Sequence, residues 1–555
     1  MRTIIYIILL FFCQSMSAQS ISAYHNVKAG IRSLTSKSFD GKILYWFNSI
    51  SDSIMLDGNA RWHKSSSHNQ SVDQIYLTLI DSNQQFLLNL QFVCNSSMIA
   101  HALSMDIDSS FLLAFNYDGD TLKINDAVFS SENNDHGALC ITKIKKDGHI
   151  AFCKSFQGYP LDAQIAALPD GKIVVSGTTS YDKMTFDGTV LPSISMGSVS
   201  NTDFFVAILD SNGQVLHVKR FGGHSWDYCK RLLTTADGSI YLSGELYSPE
   251  FKIDSLTLTS QGGGKFGLPD ALLLKLDSTL RPLWARQVKG FGYQRGYIVD
   301  VDAMGRLYWG FEFTNYESYL EEDTLHGGPT NLMICQLDTA GSILWKRSFA
   351  TNPYTYFSDI SFDPDNNFWL VIGYGDSLRF GNHLLTGINE QDYALVKMNP
   401  EGEFLRWFNI TGPSWENIDH LQAIGNQQLF ISGSADSLSF LNLNIESAFL
   451  HDRTYFHFIL DLNTVGTQAA AQAAVDLAVF PNPIQAGGLL QVVLHGAVRN
   501  GQVRLYDALG RIVAQTQVPD YAAQMNFPAP RQPGLYYLVL QVGVQRAVSK
   551  IVVGR

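Results

Sequence analysis

The chain is poor in the residues that most catalytic and metal-binding proteins rely on. Of 555 residues only six are cysteine. One of these, Cys13, falls in the amino-terminal apolar segment, and the other five, Cys94, Cys140, Cys153, Cys229 and Cys335, show neither CxxC nor His-paired spacing. That pattern argues against a zinc site and excludes a dense disulfide framework in a chain this long. HExxH, GxSxG, a P-loop and a GxGxxG leading into a helix are all missing. No apolar run reaches the roughly 20 residues that a spanning helix needs. Sustained helical periodicity is also lacking, so the remaining architecture is all-β.

Charge is scarce as well, at 16% of residues, and unevenly divided. Residues 475–555 hold seven Lys/Arg against three Asp/Glu, and Arg2 adds one further cation. The formal −12 of the whole chain therefore leaves −17 on the body between them. Such a body repels nucleic acid and anionic membranes, and neither is expected as a partner.

The amino terminus, MRTIIYIILLFFCQSMSAQS, has an early positive charge, an apolar stretch and then small and polar residues. This is the layout of a secretory signal peptide over 1–18, with cleavage after Ser17 or Ala18 and no transmembrane segment left in the mature chain. A lipoprotein reading of Cys13 is opposed by Phe12, which sits where a small residue is required.

What the chain has in abundance is repetition. FFVAILDSNGQVLHVKRFGG at 204–223 returns as ALLLKLDSTLRPLWARQVKG at 271–290 and LMICQLDTAGSILWKRSFAT at 332–351. Marked by the residue that opens the hairpin turn, copies begin at Asp81, Lys145, Asp210, Asp277, Asp338, Asn399 and Asn463, spaced 64, 65, 67, 61, 61 and 64 residues apart. A second signature keeps the same rhythm: a turn followed by alternating apolar residues, as in PDGKIVVSG (169–177) and ADGSIYLSG (236–244). Each unit thus holds at least four antiparallel strands.

The seventh copy lacks its fourth strand, because NTVGTQAAAQAA follows 455–462 directly. The segment 21–29, ISAYHNVKA, is unassigned and is expected to pair with 455–462 and close a ring, removing exposed sheet edges. Short strand-like elements such as FKIDSL (251–256) and SLRFGN (377–382) recur between the second and third strands, predicting an added hairpin or rim strand per unit. If residues 145–148 form a four-residue loop, Cys140 faces Cys153 and a cross-strand bridge is geometrically conceivable. The alternative is a pair of packed positions.

The element FFVAILDSNGQVLHVKRFGGHSWDYCKRLLTTADGSIYLSG, 204–244, resembles the SBBP-type repeat of secreted seven-bladed β-propellers, over roughly 21–465. Composition shifts at 464–475, an Ala/Gln/Thr-rich linker. Beyond it, 476–555 reads as a small Ig-like β-sandwich. Its ordered motifs are Phe480-Pro481-Asn482-Pro483, Asp507-Ala508-Leu509-Gly510-Arg511, Pro533-Gly534-Leu535-Tyr536 and Lys550-Ile551-Val552-Val553. Together they resemble the type A C-terminal sorting domain of the type IX secretion system. The resemblance implies a Bacteroidota source, the type IX machinery and its sortase as partners, and a surface-attached or released product.

Ligand candidates sit in the connections from each fourth strand to the next unit. Trp226, Tyr228, Tyr293, Tyr354 and Trp415 offer stacking faces, and Asp227, Arg295 and Glu416 offer polar contacts, a mixture suited to a glycan or protein ligand. The same residues also fit a role in packing one unit on the next. No catalytic residue, metal or cofactor is expected. The leading expectation is an exported binding protein, against a propeller enzyme (lyase or glycosidase) or a purely structural coat component. Asp-Ser or Asp-Thr followed by Leu or Ile recurs at 52–54, 120–122, 254–256, 323–325, 376–378 and 436–438. It resembles an O-glycosylation acceptor motif and is also good turn chemistry. Intact-mass measurement of protein secreted by a native host is expected to show sugar increments, and an unmodified mass removes the idea.

Overall fold

Alternating apolar residues interrupted by Asp and Gly produce strands throughout, and the computed structural model contains no helix among its described residues. It describes 21–28, 31–39, 42–49, 53–56, 60–63, 74–81, 86–130, 137–179, 183–192, 202–262, 267–314, 317–326, 330–352, 355–387, 391–411, 416–435, 437–440, 443–446, 454–462, 476–495, 501–507, 511–518, 524–542 and 545–554. The expected signal peptide and the core of the expected linker lie outside these residues. The chain divides into two units, Met1–Gly466 and Thr467–Arg555.

In the larger unit the strands form up-and-down meanders of four. One runs Asp162–Ala167, Ile173–Thr179, Asp203–Leu209 and Val215–Phe221, and the next runs Asp227–Thr234, Ile240–Leu246, Asp270–Leu276 and Pro282–Gly290. Seven such meanders occur among the described residues. In the seventh, Thr454–Asp461 lies between Gln428–Ala435 and Ile21–Lys28, so the amino-terminal strand supplies the missing fourth member. Each unit also carries the extra hairpin, and in five of the seven it extends the sheet of the preceding unit rather than its own, whereas Glu250–Ile253 with Leu256–Thr259 and Ser437–Phe440 with Leu443–Glu446 form separate two-stranded sheets among the described residues. Thr121–Ile124 pairs with Phe86–Cys94, Ser318–Leu320 with Pro282–Gly290, and Ser377–Phe380 with Ile343–Asn352. The hairpin of the first unit pairs through Ser53–Leu56 with Ile21–Lys28.

The second and third strands of each meander are buried on both faces; every residue of Ile173–Thr179 and Asp203–Leu209 is buried. Their apolar side chains form clusters that each span two consecutive sheets, such as Phe204, Leu242, Leu272 and Leu274. Between the first and seventh units, Ser38 N donates to Gln422 Oε1 at 2.9 Å, and buried Tyr45 Oη meets the buried His457 ring at 3.2 Å.

The fourth strands latch onto the next unit's turn. Arg286 Nε donates to the Gly341 carbonyl at 2.7 Å and Arg347 Nε to the Gly402 carbonyl at 2.8 Å. Trp284 and Trp345 Nε1 donate to the Thr339 and Pro400 carbonyls. Those turns are organised by the Asp or Asn that marked the repeat: Asp338 Oδ1 accepts from Ala340 N and Ser342 N, and Asn399 Oδ1 from Glu403 N.

The turn chemistry corrects the expected cysteine register. Gly148 takes φ +88°, adding a bulge residue, so Ile144 faces Ile150 rather than His149, and a second shift between Lys143 and Ile144 leaves Ala151 without a partner in the ladder. Cys140 consequently faces Ser155, and Cys153 faces Thr142. The two sulfurs lie diagonally 3.4 Å apart as free thiols, and burial pushes the Cys140 thiol well up. The Asp363 segment, Asp-Pro-Asp-Asn-Asn, is a turn: Asp363 accepts from Asp365 N and Asn367 N and pairs with Lys397 at 2.7 Å.

The smaller unit has a three-stranded sheet (Asp476–Phe480, Leu489–His495, Gln524–Pro528) and a five-stranded one containing Gln502–Asp507, Ile512–Gln517, Gly534–Val542 and Gln545–Gly554. Leu490, Val492 and Phe527 pack with Leu538, Leu540 and Ile551 in one core. Arg347→Ala is expected to cost about 1–2 kcal/mol, since it removes charge-assisted bonds to two carbonyls of the following turn. A lowered thermal midpoint, with Arg347→Lys in between, checks the latch; an unchanged midpoint denies it.

Candidate functional site

The first strand of each meander is the polar one. In Asp227–Thr234 and Gln294–Val301 the ladder to the second strand shifts register between Cys229 and Arg231 and between Gly296 and Ile298. These bulges re-aim Lys230, Arg231 and Tyr297 out of the alternation. The result is a cleft of about 450 Å³ lined by Asp162 and Gln164 from one unit, Lys230, Arg231 and Glu245 from the next, and Arg295 and Tyr297 from the third.

Within it, Lys230 Nζ lies 3.4 Å from Asp162 Oδ2 and 4.9 Å above the Tyr228 ring, which meets Tyr247 edge-on. Tyr247 donates to Glu245 at 3.2 Å, and Tyr297 donates to Glu312 at 2.8 Å. Arg295 joins these two Tyr–Glu pairs. Its Nη1 is 3.8 Å from Glu312 Oε2, and its guanidinium lies 4.8 Å from the Tyr293 ring centroid. Burial works against the Arg295 charge, but Tyr297, Glu312 and Glu245 together hold it above the ordinary arginine value. Burial raises the Glu312 carboxyl, only partly opposed by Tyr297 and Arg295.

A second polar group comes from the first strands of five units. Burial lowers Lys37 despite the charges of Asp359 and Asp300, with Arg231 also near. Burial and the Asp359 charge push Asp300 up to about 7. Asp359 is itself held low against burial by His420, at 2.7 Å, and by Leu421 N. In the second unit, burial brings His101 down to about 4.

The loop residues singled out from the sequence are distributed differently. Trp226 and Tyr293 are 50% and 42% exposed and can stack against a ligand. Asp227 is fully buried: Oδ1 accepts from Tyr247 N and Ser248 N, and Oδ2 from Ser248 Oγ and Gly223 N, which organises the loop. Burial raises its carboxyl to about 7. Glu416 is buried too, while Tyr354 and Trp415 lie outside the described residues. Of the eight, Arg295 alone lines the cleft, with Tyr228 and Tyr293 beneath its cations. Lys230, Arg231, Glu245, Tyr297 and Asp162 were not picked out from the sequence. Apart from Tyr297, their only signal there is charge within a strand, which usually marks a solvent-facing position.

The carboxy-terminal motifs converge through Asn482. Its Nδ2 donates to the Lys550 carbonyl at 2.6 Å and its Oδ1 accepts from Val552 N at 2.9 Å. Pro481 and Pro483 flank this clamp, and Tyr536, two residues after Gly534, donates to the Gln532 carbonyl at 2.9 Å. Gly510 lies outside the described residues, and its neighbour Arg511 is bonded to Asp507 at 2.8 Å.

Residues 478–554 match a family model described as a secretion-system C-terminal sorting domain. The carboxy-terminal unit is a type IX sorting domain. It directs the chain to the cell surface or to secretion and implies contact with the secretion machinery. No curated protein matches the chain. Solved structures with some likeness include a fungal alcohol oxidase of the AA5 family in complex with copper (12% identity, 97% of this chain and 98% of that one, TM-score 0.35). A protein of unknown function from Dyadobacter fermentans has 12% identity over 66% of this chain and 95% of its own, TM-score 0.32. PorZ, a surface component of the type IX system of Porphyromonas gingivalis, has 11% identity over 97% and 100%, TM-score 0.16. At these scores the likenesses carry no argument about fold or activity.

The buried acids set a pH dependence. Asp300, like Asp227, keeps its proton up to about 7, whereas the unfolded chain loses it near 4. Their contribution to stability therefore declines as pH rises through that window. His101, lowered to about 4, acts the opposite way between pH 4 and 6.5. Asp300→Asn is expected to lose less thermal midpoint than the parent between pH 4 and 8. Superimposable profiles would contradict the assignment.

Proposed function

We propose that residues 21–465 form a seven-bladed, SBBP-like β-propeller, made with a signal peptide at 1–18 by a member of the Bacteroidota. It is exported as cargo of the type IX system and acts as a binding protein. Three features support the ring: the pairing of Ile21–Lys28 with Thr454–Asp461, the hairpins that five units add to the sheet of the unit before, and the contacts between first and seventh units. In such a ring the first strands face the central channel. The observation that carries the binding reading is the gathering of Lys230, Arg231, Arg295, Tyr297, Asp162 and Glu245 from three successive units around one cleft. Cations, acceptor carboxylates and tyrosine faces together suit a polar extracellular ligand, a glycan or a protein segment.

The sorting domain is removed by a sortase at the surface, and the body is left attached there or released. A propeller enzyme is the second reading, favoured by the raised Glu312 carboxyl bonded to Tyr297 beside Arg295. Glycan-array and host-protein binding to the mature chain, run beside a polysaccharide-cleavage screen, tests the assignment. Saturable binding without turnover is expected, and Lys230→Gln is expected to weaken it severalfold. Turnover would transfer the protein to the second reading, and no binding at all would leave a structural coat component. In the native host, Asn482→Ala should reduce the extracellular share of the protein, and undiminished export would count against the clamp.

A further inference from the structure

The cleft has more specificity than a generic polar surface. A guanidinium offers five N–H donors in a planar fork, and Glu312, Tyr247 and Tyr297 do not exhaust them. Arg295 is fixed from behind by Glu312 and covered on one face by Tyr293, so its remaining donors are pre-oriented. Lys230 stands over Tyr228 on the adjacent strand. Each cation is thus mounted on an aromatic ring that is itself half-buried or exposed. Asp162 and Glu245 supply acceptors at the same cleft.

We propose, building on the binding role above, that the cleft recognises a saccharide bearing an isolated carboxylate, a uronate residue flanked by neutral sugars. Arg295 receives the carboxylate through its fork, Lys230 assists, the tyrosines take the apolar face of a sugar ring, and Asp162 and Glu245 accept hydroxyl protons. Two observations separate this ligand from the alternatives. A polyanion is disfavoured because the body carries a formal −17, and the local cations are nearly balanced by Asp162, Glu245 and Glu312. Affinity for an anion must therefore arise at short range, one carboxylate at a time. A peptide added as a strand is disfavoured because the bulges at Lys230 and Tyr297, seen in the pairing with each second strand, bend the first strands whose free edges would receive it.

Calorimetric titration of the full mature chain with a xylo-oligosaccharide carrying one glucuronate tests this against two controls. These are the same oligosaccharide with its carboxyl reduced to the alcohol, and a glutamate-containing peptide. The acid form is expected to bind at least tenfold tighter than the reduced form. Arg295→Lys, which keeps the charge and loses the fork, should erase most of that difference. Lys230→Gln should weaken the acid form without affecting the reduced one, and it reports even if the Arg295 variant folds poorly. Equal binding of the acid and reduced forms, or preference for the peptide, overturns the uronate assignment while leaving a binding role standing. If neither saccharide nor peptide binds and the broader array is also silent, the binding role itself fails.

Discussion

Everything in the larger unit follows from the double-sided burial of the two middle strands in each meander. Ile173–Thr179 and Asp203–Leu209 present apolar side chains to both faces, so a single sheet leaves one face in water whichever way it packs. At roughly 25 cal/mol for each Å² of apolar surface, no meander is stable alone. Each needs a sheet on either side, and a linear stack would leave its two end sheets half-covered. Using the amino-terminal strand as the last member of the seventh meander answers that constraint, because the first unit is then held to the last.

The periphery reinforces the arrangement by exchange between neighbours. Hairpins extend the preceding sheet, whereas Trp284, Arg286, Trp345 and Arg347 reach forward to the next turn. Neighbours are therefore tied in both chain directions. The first strands of the meanders carry the polarity. Bulges at Lys230 and Tyr297 free these side chains from the alternation, and contacts with Asp162 and Glu312 offset their desolvation.

The carboxy-terminal unit shows how an address can depend on folding. Asn482 is separated in sequence from Lys550 and Val552, yet it bonds the backbone of both. The Pro-Asn-Pro and Lys-Ile-Val-Val motifs are therefore two sides of one structural joint. Tyr536 fixes the entry to the neighbouring strand through the Gln532 carbonyl.

Period and alternation were enough to read strand order, turn positions and the pairing of 21–29, because strands and turns are local properties of backbone pleat and turn chemistry, whereas the carboxy-terminal unit was read from the resemblance of its ordered motifs to a sorting domain. Asp338 and Asn399 marked turns in the sequence and organise them in three dimensions. Register and site were another matter. Two one-residue shifts, at the Gly148 turn and between Lys143 and Ile144, moved the partner of Cys140 to Ser155, an effect that counting from a four-residue loop misses. Asp227 looked like a ligand contact but spends its carboxylate on its own loop, while Lys230 and Arg231, three and four positions later, were not singled out and line the cleft. Residue type and spacing determined which strands form. Which charges meet was decided only by the juxtaposition of strands some 65 residues apart in sequence, since electrostatic contacts depend on distance in space and the repeat alone does not record it.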